Sequence, residues 1–368
     1  RDVAIKVVAN SVFSEGERGK LGRKLFVTEA SLAGKLNHPH IVQIFDAAAD
    51  ADPSYIIMEY VPGGTLEAYC APDKLLPLAD VIEMIFKCSR ALDFAYRLGV
   101  IHRDLKPANI LRGGSTGTDV KISDFGAAIT TSSDQTAVSG IGSPAYMSPQ
   151  QVQDWPLDHR TDIFSLGVVM YQLLTGQLPF QGSNNISIVY QIANVEPPPP
   201  SALRKGIPPA VDAIVMRALK KSLEERYPTW DAFSFDLAET FRNEHLEEAR
   251  ERIADTEKFN TLRGLAFFRD FNDVQLWELL GFSDWQRVKP GTVLMHEGQP
   301  GDNFCILAAG EVKVTKNAKL LNVLSAGECF GEMAYLNEAA GTRGADVSTL
   351  REATVITVPT AALRRASD

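Results

Sequence analysis

The chain opens on a period-two pattern. In "RDVAIKVVAN", Val3, Ile5 and Val7 share one face of an extended segment while Ala4, Lys6 and Val8 share the other, which predicts a strand with at least one face covered. Strand-like runs continue to about residue 61, interrupted by a helical stretch predicted from Arg18 to Leu36. From Leu78 to about Arg242 the spacing of apolar positions is mostly helical. Within it "IFSLGVVMYQLLTG", Ile163 to Gly176, is too short and too often interrupted by polar residues to span a bilayer, so it reads as a buried helix. A polar loop rich in Gly, Ser and Thr runs from Ala127 to Ser143. The prolines Pro197 to Pro200 mark a turn between helices, because each removes a backbone donor and disfavours helix in the residue before it.

The pattern then changes twice. Residues 243 to 258, "NEHLEEARERIADTEK", are highly charged, with Glu248 and Arg252 at helical spacing, and predict a solvated connecting helix or plain spacer. After Phe259 a short helical part, "LRGLAFFRDFNDVQLWELL", gives way to short apolar runs punctuated by Gly291, Gly298, Gly301, Gly310, Gly327 and Gly331. Regular turn residues between short strands indicate a small β-barrel or roll. The fold class is therefore α+β, and no internal repeat is evident.

Composition narrows the choice of chemistry. With 368 residues, 45% of them hydrophobic, two domains are expected. The net charge of -9 argues against a nucleic-acid partner, since phosphate-binding surfaces carry excess Lys and Arg. Cys70, Cys88, Cys305 and Cys329 are far apart in sequence, which speaks against a zinc site or disulfide framework and for a reducing, cytoplasmic compartment. The sequence begins inside a strand without a leader, and is expected to be a fragment of a longer protein.

Four stretches then fall in a telling order: "VAIK" at 3 to 6, "HRDLKPAN" at 102 to 109, "DFG" at 124 to 126 and "SPQ" at 148 to 150. Transfer of a terminal phosphoryl group needs charge neutralisation and alignment more than covalent help. A lysine on a rigid strand, a carboxylate and an amide suit that task. The ordered set resembles the eukaryotic-type protein kinase family over residues 1 to 242. The resemblance implies a two-lobed fold, ATP and Mg²⁺ as cofactors, and protein substrates phosphorylated on Ser or Thr. Lys6 would face the α- and β-phosphates with Glu29, in "FVTEASLAGKL", as its acidic partner. Asp104 would orient the substrate hydroxyl and accept its proton, Lys106 would reach the γ-phosphate, and Asn109 with Asp124 would supply oxygen ligands to Mg²⁺. In "YIIMEYVPGG" the backbone of Glu59 to Val61 would bind adenine, with Met58 lining the pocket or packing in the core. Asp162, in "RTDIFSLG", resembles the buried aspartate that anchors the catalytic loop.

Regulation and departures are also legible. Arg103 beside Asp104 would pair with a phosphate in the activation segment, with Thr136 and Ser139 as candidates and Thr130, Thr131, Ser132 and Ser133 behind them. In "GSPAYMSPQQ", Ser143 stands where the family has threonine. Gln150 replaces the usual glutamate, and Arg226 in "EERYPT" matches that glutamate's partner, so a looser lobe is expected. The family's Gly-rich strand-turn-strand is absent before Val3, which predicts weak ATP binding and weak transfer by this chain. A pseudokinase or scaffold is the alternative.

Residues 330 to 347, "FGEMAYLNEAAGTRGADV", and the glycine-punctuated strands "VKPGTVLMHEGQPGDNFCILAAGEVKV" resemble cyclic nucleotide-binding domains over residues 259 to 368. The resemblance implies that Gly331, Met333 and Ala334 bring backbone groups to a phosphate, that Glu332 accepts from a ribose hydroxyl, and that Arg343 pairs with the cyclic phosphate. Gly344 lacks the hydroxyl used by members that prefer cGMP, which favours cAMP. Asp346 would bring an opposing charge near that phosphate, and a docking module that binds no ligand remains the rival. "ALRRASD" at 362 to 368 also reads as a basophilic phosphorylation site or plain helix surface.

Overall fold

The computed structural model describes residues 2–9, 16–114, 117–130, 144–243, 253–332 and 342–361. The chain divides into two compact units, Arg1–Arg250 and Glu251–Asp368.

The first unit begins with a small antiparallel sheet. Strand β1 (Val3–Val8) pairs with β3 (Ser54–Glu59), which pairs in turn with β2 (Ile44–Ala48), giving the order β1-β3-β2. Lys6 sits opposite Ile56 at the centre of the β1–β3 ladder. The alternation expected for β1 is present, but the apolar face is the open one: Val3, Ile5 and Val7 are exposed, and the Lys6 face is the half-covered one. Helix α1 (Gly16–Ser31) lies between β1 and β2. It ends earlier than Leu36, where turns lead to Gly34 in the left-handed region, a conformation glycine adopts without steric cost.

The larger part of this unit is helical. Helix α2 (Leu78–Arg97) buries thirteen of its side chains and is followed by three short strand segments, β4 (Val100–Ile101), β5 (Ile110–Gly113) and β6 (Asp119–Ile122). Lys87 of α2 is fully buried, yet its ammonium lies 3.1 Å from both Glu83 and Asp119, which meets the need of a buried charge for partners. The pair β5–β6 forms a hairpin, and β4 pairs with β7 (Ile129–Thr130). Next come α3 (Pro149–Val152) and α4 (Arg160–Thr175). The latter is the expected buried helix, with nearly every residue inside. A Cβ at Gly167 would stand 2.8 Å from that of Ala218, so α4 and α6 (Pro209–Ala218) are packed too closely there for any side chain. The proline run separates α5 (Asn185–Asn194) from α6, and α7 (Trp230–Asn243) packs against α2.

The second unit starts with α8 (Asp255–Gly264) and α9 (Asp273–Phe282). Eight strands follow: β8 (Asp284–Val288), β9 (Val293–Met295), β10 (Asn303–Ala309), β11 (Glu311–Lys316), β12 (Lys319–Ser325), β13 (Cys329–Phe330), β14 (Asp346–Thr349) and β15 (Ala353–Pro359). They form two four-stranded sheets, β13-β10-β15-β8 and β12-β11-β14-β9. Val288, Met295, Leu307, Val312, Phe330, Val347 and Val355 of both sheets share one core. This is the β-roll that the glycine punctuation predicted. No described helix is long and apolar enough to cross a membrane.

Candidate active site and ligand pocket

Residues remote in the sequence converge around Lys6. Its ammonium lies 2.6 Å from Glu29 Oε2 on α1 and 3.3 Å from Asp124 Oδ1. Glu29 is almost wholly buried. Burial alone would lower the Lys6 pKa, but the two carboxylates outweigh it and hold the ammonium above its ordinary value. The cation is thus fixed in direction and in charge.

A second group surrounds Asp104. Asp162, buried in α4, accepts from the backbone N–H of His102 at 2.8 Å and of Arg103 at 2.9 Å. Burial raises its carboxyl, while these donors and nearby charges pull the other way. His102 Nε2 meets the Ser123 carbonyl at 3.0 Å. A carbonyl only accepts, so Nε2 carries the proton and Nδ1 accepts from the Asp104 N–H at 3.3 Å. The Phe125 ring packs 4.5 Å from that of His102. Lys106 Nζ approaches Asp104 Oδ2 at 2.6 Å, and Asn109 Nδ2 donates to the Asp104 carbonyl at 2.9 Å and to its Oδ2 at 3.2 Å. Arg103 and Asp124 both take left-handed backbone, with φ of 70° and 61°. Non-glycine residues held there are strained and persist because their surroundings over-determine them.

Asn109 spends its amide nitrogen on Asp104, which leaves its carbonyl oxygen for a cation, and Asp124 presents a half-exposed carboxylate. One carboxylate and one amide oxygen, completed by phosphate oxygens, suit Mg²⁺. Arg103 Nε is buried without a hydrogen-bond partner among the described residues, and burial lowers its pKa. Of the hydroxyls expected to be phosphorylated opposite it, Thr131, Ser132, Ser133, Thr136 and Ser139 lie outside the described residues, as does Ser143, and of Thr130 only the backbone is described.

Met58 and Glu59 end β3 half-buried, with Val61 two residues beyond. The Glu59 N–H donates to the Gln43 carbonyl at 2.9 Å, and its carboxylate lies 3.0 Å from Lys121 Nζ. That second role for Glu59 had no signal in the sequence, because Lys121 is 62 positions away on β6. Gln150 Oε1 receives Arg226 Nη1 at 3.1 Å, the pairing that the family resemblance implies.

In the second unit Arg343 is nearly buried. Its Nη1 donates to the carbonyls of Asn303 and Gly331, each at 2.7 Å, and Nη2 donates to Asn303 Oδ1 at 2.6 Å. Asn303 was missed at the sequence level. Gly331 has φ +84°, and a Cβ there would meet Arg343 Nη1 at 2.6 Å. Glu332 Oε2 is buried without a hydrogen-bond partner among the described residues, while Met333 and Ala334 lie outside them. Asp346 is turned to other work: its Oδ1 accepts from the Glu297 N–H at 2.9 Å and stands 3.6 Å from His296 Nδ1.

A protein kinase domain model matches residues 1–234 and a cyclic nucleotide-binding domain model matches residues 285–368. The chain is 40% identical over 250 residues to the serine/threonine-protein kinase PknB of Mycobacterium leprae, covering 64% of this chain and 38% of that protein. Against PknB of Mycobacterium tuberculosis the identity is 36% over 279 residues, covering 72% of this chain and 43% of the relative. The chain thus spans less than half the length of these curated relatives. With Lys6, Glu29, Asp104, Asn109 and Asp124 gathered in one unit and the kinase model matched over most of the chain, the protein belongs to the protein kinase family.

Proposed function

We propose that this chain carries an ATP-dependent serine/threonine kinase activity governed by a cyclic nucleotide bound to the second unit. The observation that carries the catalytic part is the pair of clusters centred on Lys6 and Asp104. Lys6 neutralises phosphate charge and is held in place by Glu29. Asp104 orients the attacking hydroxyl of a Ser or Thr side chain and accepts its proton. Lys106, now on Asp104, is within reach of the transferred group. Asn109 and Asp124 would hold Mg²⁺, which would neutralise the triphosphate charge. Backbone groups of Glu59 and Val61 bind the adenine beside Met58.

In the second unit the ligand is a cyclic nucleotide, with Arg343 and the backbone around Gly331 to Ala334 on its phosphate and Glu332 on its ribose. Gly344 offers no hydroxyl to a guanine, which favours cAMP. Binding there biases the kinase through the 243–258 segment.

The test is transfer of γ-phosphate from ATP to Ser/Thr peptides by the protein and by Asp104→Asn, with and without cAMP. We expect transfer that falls by about 10² to 10⁴ in the variant and that responds to cAMP. Incorporation equal in the two proteins would reject the catalytic assignment, and indifference to cAMP the regulatory one.

A further inference from the structure

Gln151 meets two backbone groups of fixed polarity. Its Oε1 accepts from the Ser148 N–H at 3.0 Å and its Nε2 donates to the Arg103 carbonyl at 2.8 Å. A peptide N–H only donates and a carbonyl only accepts, so the amide has a single orientation. The first bond belongs to the capping box that starts α3, in which Ser148 Oγ accepts from the Gln151 N–H at 3.3 Å. The second leaves the helix altogether and has no part in capping.

What it holds is the strained residue of the catalytic loop. Arg103 has φ 70°, its N–H is taken by Asp162 at 2.9 Å and its carbonyl by Gln151. The next N–H, that of Asp104, faces His102 Nδ1. The peptide plane leading into Asp104 is therefore gripped at its oxygen by Gln151 and at its nitrogen by His102. Rotation of that plane would turn the Asp104 Cα and redirect its carboxylate.

We propose that Gln151 is a positioning residue for phosphoryl transfer. It fixes the 103–104 peptide plane, and so the direction of Asp104, from the first turn of α3. One amide then joins the end of the "GSPAYMSPQQ" segment to the catalytic loop, so a displacement of α3 is felt at Asp104 without any contact between α3 and the reacting atoms. The inference rests on the kinase assignment above.

Two substitutions separate the cap from the clamp. Gln151→Glu keeps an acceptor for the Ser148 N–H, a residue type that capping boxes favour, but its carboxylate has no proton for the Arg103 carbonyl. Gln151→Met removes both bonds. In the intact chain, amide hydrogen exchange across residues 102 to 106 is expected to quicken in both variants, while exchange of the Ser148 amide quickens only in Gln151→Met. Phosphate transfer should fall by about 10- to 100-fold in kcat for Gln151→Glu, with KM for ATP unchanged. The ratio of this variant's kcat to that of the wild type should rise as pH falls, because protonating the introduced carboxyl restores a donor. A residue that only stabilised the fold would show no such recovery.

Unchanged exchange in Gln151→Glu would overturn the clamp, as would an unchanged kcat. If the wild-type chain transfers no more phosphate than Asp104→Asn, the kinase assignment is what fails, and exchange still decides whether Gln151 holds the loop.

Discussion

Arg226 Nη1 donates to Gln150 Oε1 across 3.1 Å, and both side chains are almost fully buried. The rest of the guanidinium is satisfied by carbonyls of Arg160, Lys220 and Lys221, and its carbon lies 5.0 Å from the Phe164 ring centroid. No described carboxylate is within ion-pair distance. Burial pushes its pKa down to about 10, with Asp158 opposing. Gln150→Glu would give this cation a counter-charge whose partner is already desolvated, so the usual penalty for burying two ions is halved. An ion pair in place of a cation–amide bond, against loss of the 3.4 Å bond from Gln150 Nε2 to the Lys221 carbonyl, should add about 1 to 2 kcal/mol, a rise in the unfolding temperature of roughly 3 to 6 °C. Calorimetry on the intact chain checks it, and a fall in the midpoint would show that carboxylate desolvation dominates.

Lys6→Met should abolish most transfer without unfolding the sheet, because the Lys6 face of β1 is only half-covered and methionine retains the aliphatic stem. Loss of one preorganised cation at the phosphates is expected to lower kcat by about 10² to 10³. The variant strands the Glu29 carboxylate, nearly buried and 2.6 Å from the missing ammonium. The double variant Lys6→Met/Glu29→Gln removes that stranded charge. If the ammonium acts on phosphate, the double variant stays inactive; recovery would mean that Lys6 serves only to neutralise Glu29.

Lys6 and Glu29 sit on elements whose type was legible, β1 by alternation and α1 by helical spacing, whereas Asp104, Asn109 and Asp124 lie in loops and short turns and were singled out by their motifs alone. What escaped were contacts made by backbone conformation or by long reach. Gln151 was visible only as the second glutamine of "SPQQ"; its bond to Arg103 depends on the left-handed turn at 103, which no local pattern announces. Asn303 lies 40 positions from Arg343, at the start of a strand whose continuous apolar run marks burial and says nothing of an amide's partner. The alternation of β1 was legible, but not which of its faces is covered, since alternation alone does not say so.

Acid should weaken the first unit through His38. The imidazole is buried, its Nδ1 accepts from the His40 N–H at 3.1 Å, and its Nε2 has no hydrogen-bond partner among the described residues. Burial first, then the charges of His40, Arg90 and Lys121, lower its pKa well below the ordinary value. The unfolded chain therefore takes up a proton before the folded one. Stability is full above the unfolded pKa of about 6.5 and declines as pH falls below it, by at most about 1.4 kcal/mol per pH unit. Unfolding midpoints at pH 7.5 and 5.5 should differ by several degrees in the wild type and by less in His38→Asn. An identical difference in both proteins would place the acid sensitivity elsewhere.

Asn303 should prove as necessary to nucleotide affinity as its distance from the ligand-binding motif is large. Arg343 uses three of its five N–H groups on Asn303 and Gly331, which leaves two for an anion and fixes the plane in which they lie. Asn303→Leu deletes the side-chain acceptor but keeps the backbone one, so the guanidinium gains freedom that binding must remove. Loss of one charge-assisted bond should raise the Kd for cAMP about tenfold. Arg343→Lys should cost more, because an ammonium cannot satisfy Asn303 and Gly331 and still offer a planar pair of donors. Gly331→Ala should cost most, since its φ of +84° strains any side chain and the new Cβ would displace Arg343 Nη1 from 2.6 Å. Titration calorimetry on the intact chain ranks the three. Affinity unchanged in Asn303→Leu but lost in Arg343→Lys would mean that the arginine is oriented by the ligand and by Gly331 alone.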